Sequence, residues 1–134
     1  MVARWNSQIT DGLLKGAQQE LARNNVKNVK VVTVPGAFEL PVAAKKVAQT
    51  GKYDAVITLG CVIRGGTPHF DYVCGETARG VGEVALTECL PVAFGVLTTD
   101  DLQQALDRSG DNEENKGIEA AAAVLEMLVA FGDL

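Results

Sequence analysis

The stretch DAVITLGCVI, residues 54–63, constrains this chain more than any other. After Asp54 it is almost continuously apolar and rich in β-branched side chains. A strand with one wet face alternates polar and apolar residues. A strand covered on both faces does not, and such runs belong to parallel sheets held between two helical layers. PVAFGVLTT (91–99) has the same character, and VKVVTV (29–34) reads as a third strand that stops at Pro35-Gly36.

Between these runs the period becomes helical. Ile9, Leu13, Leu14, Ala17 and Leu21 mark one buried stripe, and Leu40, Ala43, Ala44 and Val47 mark another. Residues 68–87 read as a helix even though Gly75, Gly80 and Gly82 each cost about 1 kcal/mol there; small residues at these positions would permit close helix packing. DDLQQALDRSG (100–110) opens on acidic residues and is expected to close on Gly110 as a C-cap. KGIEAAAAVLEMLVAF (116–131) is the strongest helix. The order is therefore β-α-β-α-β-α-β-α-α in a single α/β domain over residues 1–134. Only Met1 to Ala3 precede the polar Arg4-Trp5-Asn6, so the first strand reads as truncated, with residues expected upstream.

Right-handed crossovers set all strand carboxyl ends on one edge, where open α/β sheets bind ligands. Four segments meet there: RWN (4–6), PGAFE (35–39), CVIRGGTPH (61–69) and LTT (97–99). Thr67-Pro68 is a helix start, with Thr67 as the expected cap. Gly65 and Gly66 let the backbone approach a ligand, and a helix amino terminus offers unpaired donors to an anion. No Walker loop and no G-x-G-x-x-G after a strand is present.

His69, the only histidine, is expected as the second helical residue, where the dipole favours a neutral imidazole able to accept a proton. It is either a general base or a residue that caps its helix or rests on the surface. Trp5 is either a core anchor or a flat face for a heteroaromatic ring. Glu39 is either a first-turn acid or a carboxylate at the ligand. Arg108 and Lys116 bracket SGDNEEN; they are either a solvated helix end or, since that end lies opposite His69 in the same chain, a contribution to a neighbour's site. The second reading requires a ring with heterologous contacts.

Charge narrows the partners. A net charge of −5 and a pI near 4.8 argue against a nucleic-acid face. The longest apolar run is interrupted by Glu126 and too short to span a bilayer, so no membrane partner is expected. Cys61, Cys74 and Cys89 form no C-x-x-C pair, and one histidine cannot complete a common zinc set; no metal is expected. Three reduced thiols suit the cytoplasm, a plastid staying open if a transit segment has been removed.

Five segments, in order and in register, resemble the 6,7-dimethyl-8-ribityllumazine synthase family. They are RWNSQITDGLLKGA, VPGAFELPVAA, GKYDAVITLGCVIRGGTPHFDYV, PVAFGVLTT and ALDRSG…NKGIEAA. The resemblance implies a flavodoxin-like three-layer α/β/α sandwich with a central parallel sheet of about four strands, in homopentamers and, in some members, shells of sixty chains. It implies condensation of 5-amino-6-ribitylamino-2,4-pyrimidinedione with 3,4-dihydroxy-2-butanone 4-phosphate, releasing phosphate and water, without metal or organic cofactor. By the same resemblance Trp5 stacks on the pyrimidine with Asn6 beside it. Gly36, Ala37, Phe38 and Glu39 surround the ribityl chain. The backbone of Cys61, Val62 and Ile63 reads the pyrimidine edge. Gly66 and Thr67 hold phosphate, and His69 transfers protons. Phe94, Arg108 and Lys116 come from the neighbouring subunit, Arg108 to the phosphate. Competing readings are a flavin- or lumazine-binding carrier, a shell-forming structural protein on the same fold, and the archaeal-type riboflavin synthase, which RGGTPH and Arg108 disfavour.

Overall fold

The computed structural model describes residues 1–134. The chain runs β1 (Val2–Ala3), α1 (Ser7–Arg23), β2 (Thr33–Val34), a 3-10 turn (Ala37–Glu39), α2 (Leu40–Ala48), β3 (Val56–Ile63), α3 (His69–Glu88), β4 (Val92–Thr99), α4 (Leu102–Asp107) and α5 (Lys116–Gly132). The four strands are all parallel, in the order β2-β1-β3-β4. This is the flavodoxin-like winding, with the chain starting inside the sheet and turning outward in both directions.

The unbroken apolar character of β3 and β4 has a direct cause. Leu59, Cys61 and Leu97 pack with Ile9, Leu13 and Ala17 of α1 and Ala120 and Ala121 of α5. On the opposite face Val96 packs with Ala37 and Leu40, and Val56 with Ala44 of α2 and Val84 of α3. Ile9, Leu13 and Leu59 are fully enclosed; burial of such side chains contributes about 1.5–3 kcal/mol each. Helices α1 and α5 approach closely enough that a Cβ at Gly117 would overlap the Leu13 carbonyl. Of the glycines in α3, Gly80 alone meets a neighbour, Pro41.

Three expected boundaries move. VKVVTV pairs as a strand only at Thr33–Val34, because residues 29–31 have no strand beside them. The fourth helix spans Leu102–Asp107, with the Asp101 side chain accepting from Gln104 N at its start. It ends at Arg108, not at Gly110. β1 is two residues long and pairs on both sides, Val2 with Thr33 and with Leu59. No helix is long and apolar enough to cross a membrane.

Candidate active site

The carboxyl ends of all four strands lie on one edge, as parallel pairing requires. At the end of β1 the chain turns sharply: Arg4 N donates to Val34 O at 2.8 Å and Trp5 N to Pro35 O at 2.9 Å. Asn6 then adopts a left-handed conformation, φ 59°, which asparagine tolerates better than most residues. Its side chain does not cap α1; Asn6 Nδ2 donates to Cys61 O at 3.0 Å and ties β1 to β3. Trp5 is 58% exposed, which removes the core-anchor reading. Its indole lies against Gly36, where a Cβ would strike the ring. Glu39 completes this corner: Gly36 N donates to Glu39 Oε2 at 3.0 Å, and the other carboxylate oxygen has no partner within the chain. Ala37 is buried, while Phe38 is 53% exposed. Two aromatic rings and a half-buried carboxylate thus share the β1–β2 corner.

The end of β3 supplies the second part. Cys61 is buried and Val62 and Ile63 are half-buried, whereas residues 64–69 are all exposed. Helix α3 begins at His69, so the histidine is its first residue and not its second. Pro68 occupies the capping position and no side chain caps it, which corrects the assignment of that role to Thr67. The Thr67 hydroxyl accepts from none of the free N–H groups there, and Pro68, with helical angles of φ −64° and ψ −4°, has no side-chain acceptor of its own. The N–H groups of Gly65, Gly66, Thr67, His69 and Phe70 donate to no backbone acceptor, which leaves this loop and helix start open to an anion.

Arg64, absent from the residues singled out in the sequence, organises that loop. Its N–H donates to Thr99 O at 2.8 Å. Arg64 Nε lies 2.9 Å from Asp100 Oδ1, Nη1 lies 3.5 Å from Asp71 Oδ1, and the guanidinium sits 4.4 Å from the Phe70 ring centroid. The Asp100 hydrogen bond raises the Arg64 pKa further above its ordinary value. The loop's own cation is therefore already matched by two carboxylates. Nearby, burial first and Cys74 second push the Cys61 thiol up to about 11, so Cys61 is a packed thiol and no nucleophile.

The remaining predicted residues lie elsewhere. Phe94, Arg108 and Lys116 line one groove along β4, with Thr98, Glu119 and Ala123, around a cavity of about 480 Å³. None of residues 64–69, Trp5, Asn6 or Glu39 lines it. Lys116 Nζ pairs with Glu119 Oε2 at 2.6 Å. Arg108 Nη1 donates only to Gln104 O, at 2.9 Å, and meets no carboxylate. Asn115 sets both cations in place, and sequence reasoning missed it. Its Oδ1 accepts from Gly117 N at 2.8 Å and Ile118 N at 3.3 Å, and its Nδ2 donates to Gly12 O at 3.1 Å and Gly110 O at 2.9 Å. Lys116 N donates to Arg108 O at 2.9 Å. The signal was legible: asparagine directly before a strong helical period is an N-cap. The bracketed loop is thus pinned at its end, and Asn115 is 3% exposed.

The predicted residues fall into two groups: a corner with rings, carboxylate and open loop, and a separate β4 groove with an unmatched guanidinium. Among families of known proteins, the one described as 6,7-dimethyl-8-ribityllumazine synthase matches residues 1–131 of the chain.

Proposed function

The chain belongs to the 6,7-dimethyl-8-ribityllumazine synthase family, and from that premise we propose that it works through a pocket shared between adjacent copies. The family reaction is the condensation of 5-amino-6-ribitylamino-2,4-pyrimidinedione with 3,4-dihydroxy-2-butanone 4-phosphate. The 5-amino group adds to the ketone and water leaves as an imine forms. Phosphate is eliminated as a proton leaves the adjoining carbon. The enol left behind takes up a proton at its terminal carbon and becomes a ketone, and the ribityl-bearing nitrogen closes the second ring on that new carbonyl, with loss of another water.

The corner supplies one half of the proposed site. Trp5 stacks on the pyrimidine with Asn6 beside it, and the backbone of Cys61, Val62 and Ile63 meets the pyrimidine edge. Gly36, Ala37, Phe38 and Glu39 surround the ribityl chain, Glu39 accepting a hydroxyl through its free oxygen. Gly66, Thr67 and the helix start hold the phosphate. His69, exposed beside them, moves the proton during elimination and ring closure. The neighbour's β4 groove supplies the other half: Phe94 covers the ring, Lys116 adds charge, and Arg108 binds phosphate.

One observation carries this sharing. Arg64 is matched by Asp71 and Asp100, so a dianion at the loop lacks a free counter-cation within that loop, while Arg108, in a groove that reaches Thr98 and Thr99 at the carboxyl end of β4 but that none of residues 64–69 lines, meets no carboxylate. Heterologous contacts of this kind close into rings, and we propose a homopentamer, with a larger shell as a further stage of assembly. The exposed Val42, Leu86, Phe94 and Val129 are apolar surface for such contacts. The free thiols support a cytoplasmic setting.

Incubation with both substrates, following lumazine absorbance and released phosphate, separates this reading from a carrier or a structural shell. Run across a dilution series with light scattering, specific activity is expected to fall in step with the assembled fraction. A fully active monomer would refute the shared pocket.

A further inference from the structure

The loop that joins Arg108 to Lys116 is held from the interior by one side chain. Asn115 is buried, and its two ends serve different partners. Oδ1 accepts from Gly117 N at 2.8 Å and Ile118 N at 3.3 Å, amides of the first turn of α5. That is an N-cap, which serine or aspartate would supply as well. Nδ2 does nothing for α5. It donates to Gly110 O at 2.9 Å, inside the loop, and to Gly12 O at 3.1 Å, on α1. Only an amide side chain offers an acceptor and two donors at once, so the choice of asparagine follows from this second task and not from the cap.

Helix α1 is shaped to receive the contact. A Cβ at Gly16 would overlap Asn115 Oδ1, and a Cβ at Gly12 would overlap Ser109 O. The two glycines lie one turn apart and form a notch into which both ends of the loop settle. The loop is also closed on itself. Lys116 N donates to Arg108 O at 2.9 Å, and the buried Ser109 donates from Oγ to Ala105 O at 2.8 Å. The backbone of Arg108 is thereby fixed, while its guanidinium holds only Gln104 O. Lys116 depends less on the notch, since it lies in α5 and pairs with Glu119 there.

We infer that Asn115 is the positioning residue for the phosphate cation: its Nδ2 donors, seated in the Gly12–Gly16 notch, fix the point from which Arg108 reaches the phosphate of the adjoining pocket. The inference rests on the shared pocket proposed above. Without those donors α5 stays capped and Lys116 stays in place, but the loop loses its tie to α1. Arg108 then swings from a displaced backbone, and a misplacement of about 1 Å is enough to cost up to about 10²-fold in a positioned contact.

Asn115→Ser and Asn115→Asp both keep an oxygen at the cap and both remove the donors; the first introduces no buried charge and the second keeps the shape. In fully assembled protein each is expected to raise the KM for the butanone phosphate, and the inhibition constant of inorganic phosphate, by about tenfold. The KM for the pyrimidine and kcat should not change. A side chain that only held the fold would lower Tm and the active fraction and leave both KM values alone. The decisive arm repeats Asn115→Ser in the Arg108→Ala background, where phosphate inhibition should weaken no further than in Arg108→Ala alone. The same additional loss in that background would overturn the inference, as would unchanged phosphate inhibition in both single variants. Failure of both to assemble would make Asn115 a residue of the fold and equally overturn it. Unchanged phosphate inhibition in Arg108→Ala itself would be a different failure, that of the shared pocket on which the inference rests.

Discussion

His69→Ala is expected to lower kcat by about 10²–10⁴-fold, the usual contribution of a positioned proton-transfer group. The KM for each substrate should change little and Tm should not change. His69 is exposed and its imidazole makes no hydrogen bond within the chain, so its removal leaves neither a cavity nor an unpaired buried group. Turnover should nevertheless stay measurable. The pocket's main task is to hold an amine against a ketone, and positioning alone contributes up to about 7–11 kcal/mol in favourable cases. Stopped assays on verified, fully assembled variant protein decide the matter. Complete loss of turnover would mean that proton transfer, not positioning, dominates the rate.

Arg108→Ala is expected to act on binding instead. A charge-assisted hydrogen bond contributes about 1.5–3 kcal/mol, which corresponds to a rise of about 10–150-fold in KM for the butanone phosphate. Inhibition by inorganic phosphate should weaken by a similar factor, while affinity for the pyrimidine stays the same. The side chain is exposed and donates only to the Gln104 carbonyl in its own chain, so the fold loses one contact at the end of α4. Unchanged affinity for inorganic phosphate would remove Arg108 from the site.

Much of the architecture was legible because its determinants are local. β3, β4, α3 and α5 are long, uniform segments, and the period of their apolar residues suffices. β2 was overcalled because VKVVTV has strand composition, but a strand exists only where a partner lies beside it, and here that partner is the two-residue β1. The carboxyl-edge cluster followed from parallel winding. Which residues organise it did not, since those contacts are long-range. Arg64 bridges β3, α3 and the end of β4, and Asn115 reaches Gly12 across about a hundred residues of chain. Thr67 has the composition of a cap, yet its hydroxyl makes no hydrogen bond to the helix start. The two sides of Trp5 were equally compatible with its neighbours in sequence; its exposure against Gly36 decides between them.

The claim that one pocket is built from two copies is tested most directly by mixing His69→Ala and Arg108→Ala chains in equal amounts, dissociating them and letting them reassemble. In a ring of heterologous contacts about a quarter of the interfaces then join an intact His69 loop to an intact Arg108 groove. Assayed with the butanone phosphate well below its KM, where the Arg108→Ala parent is slow as well, activity should recover to about a quarter of the unsubstituted protein's, above either parent. Verified mixed assemblies whose activity stays at the mean of the two parents would contradict the shared site.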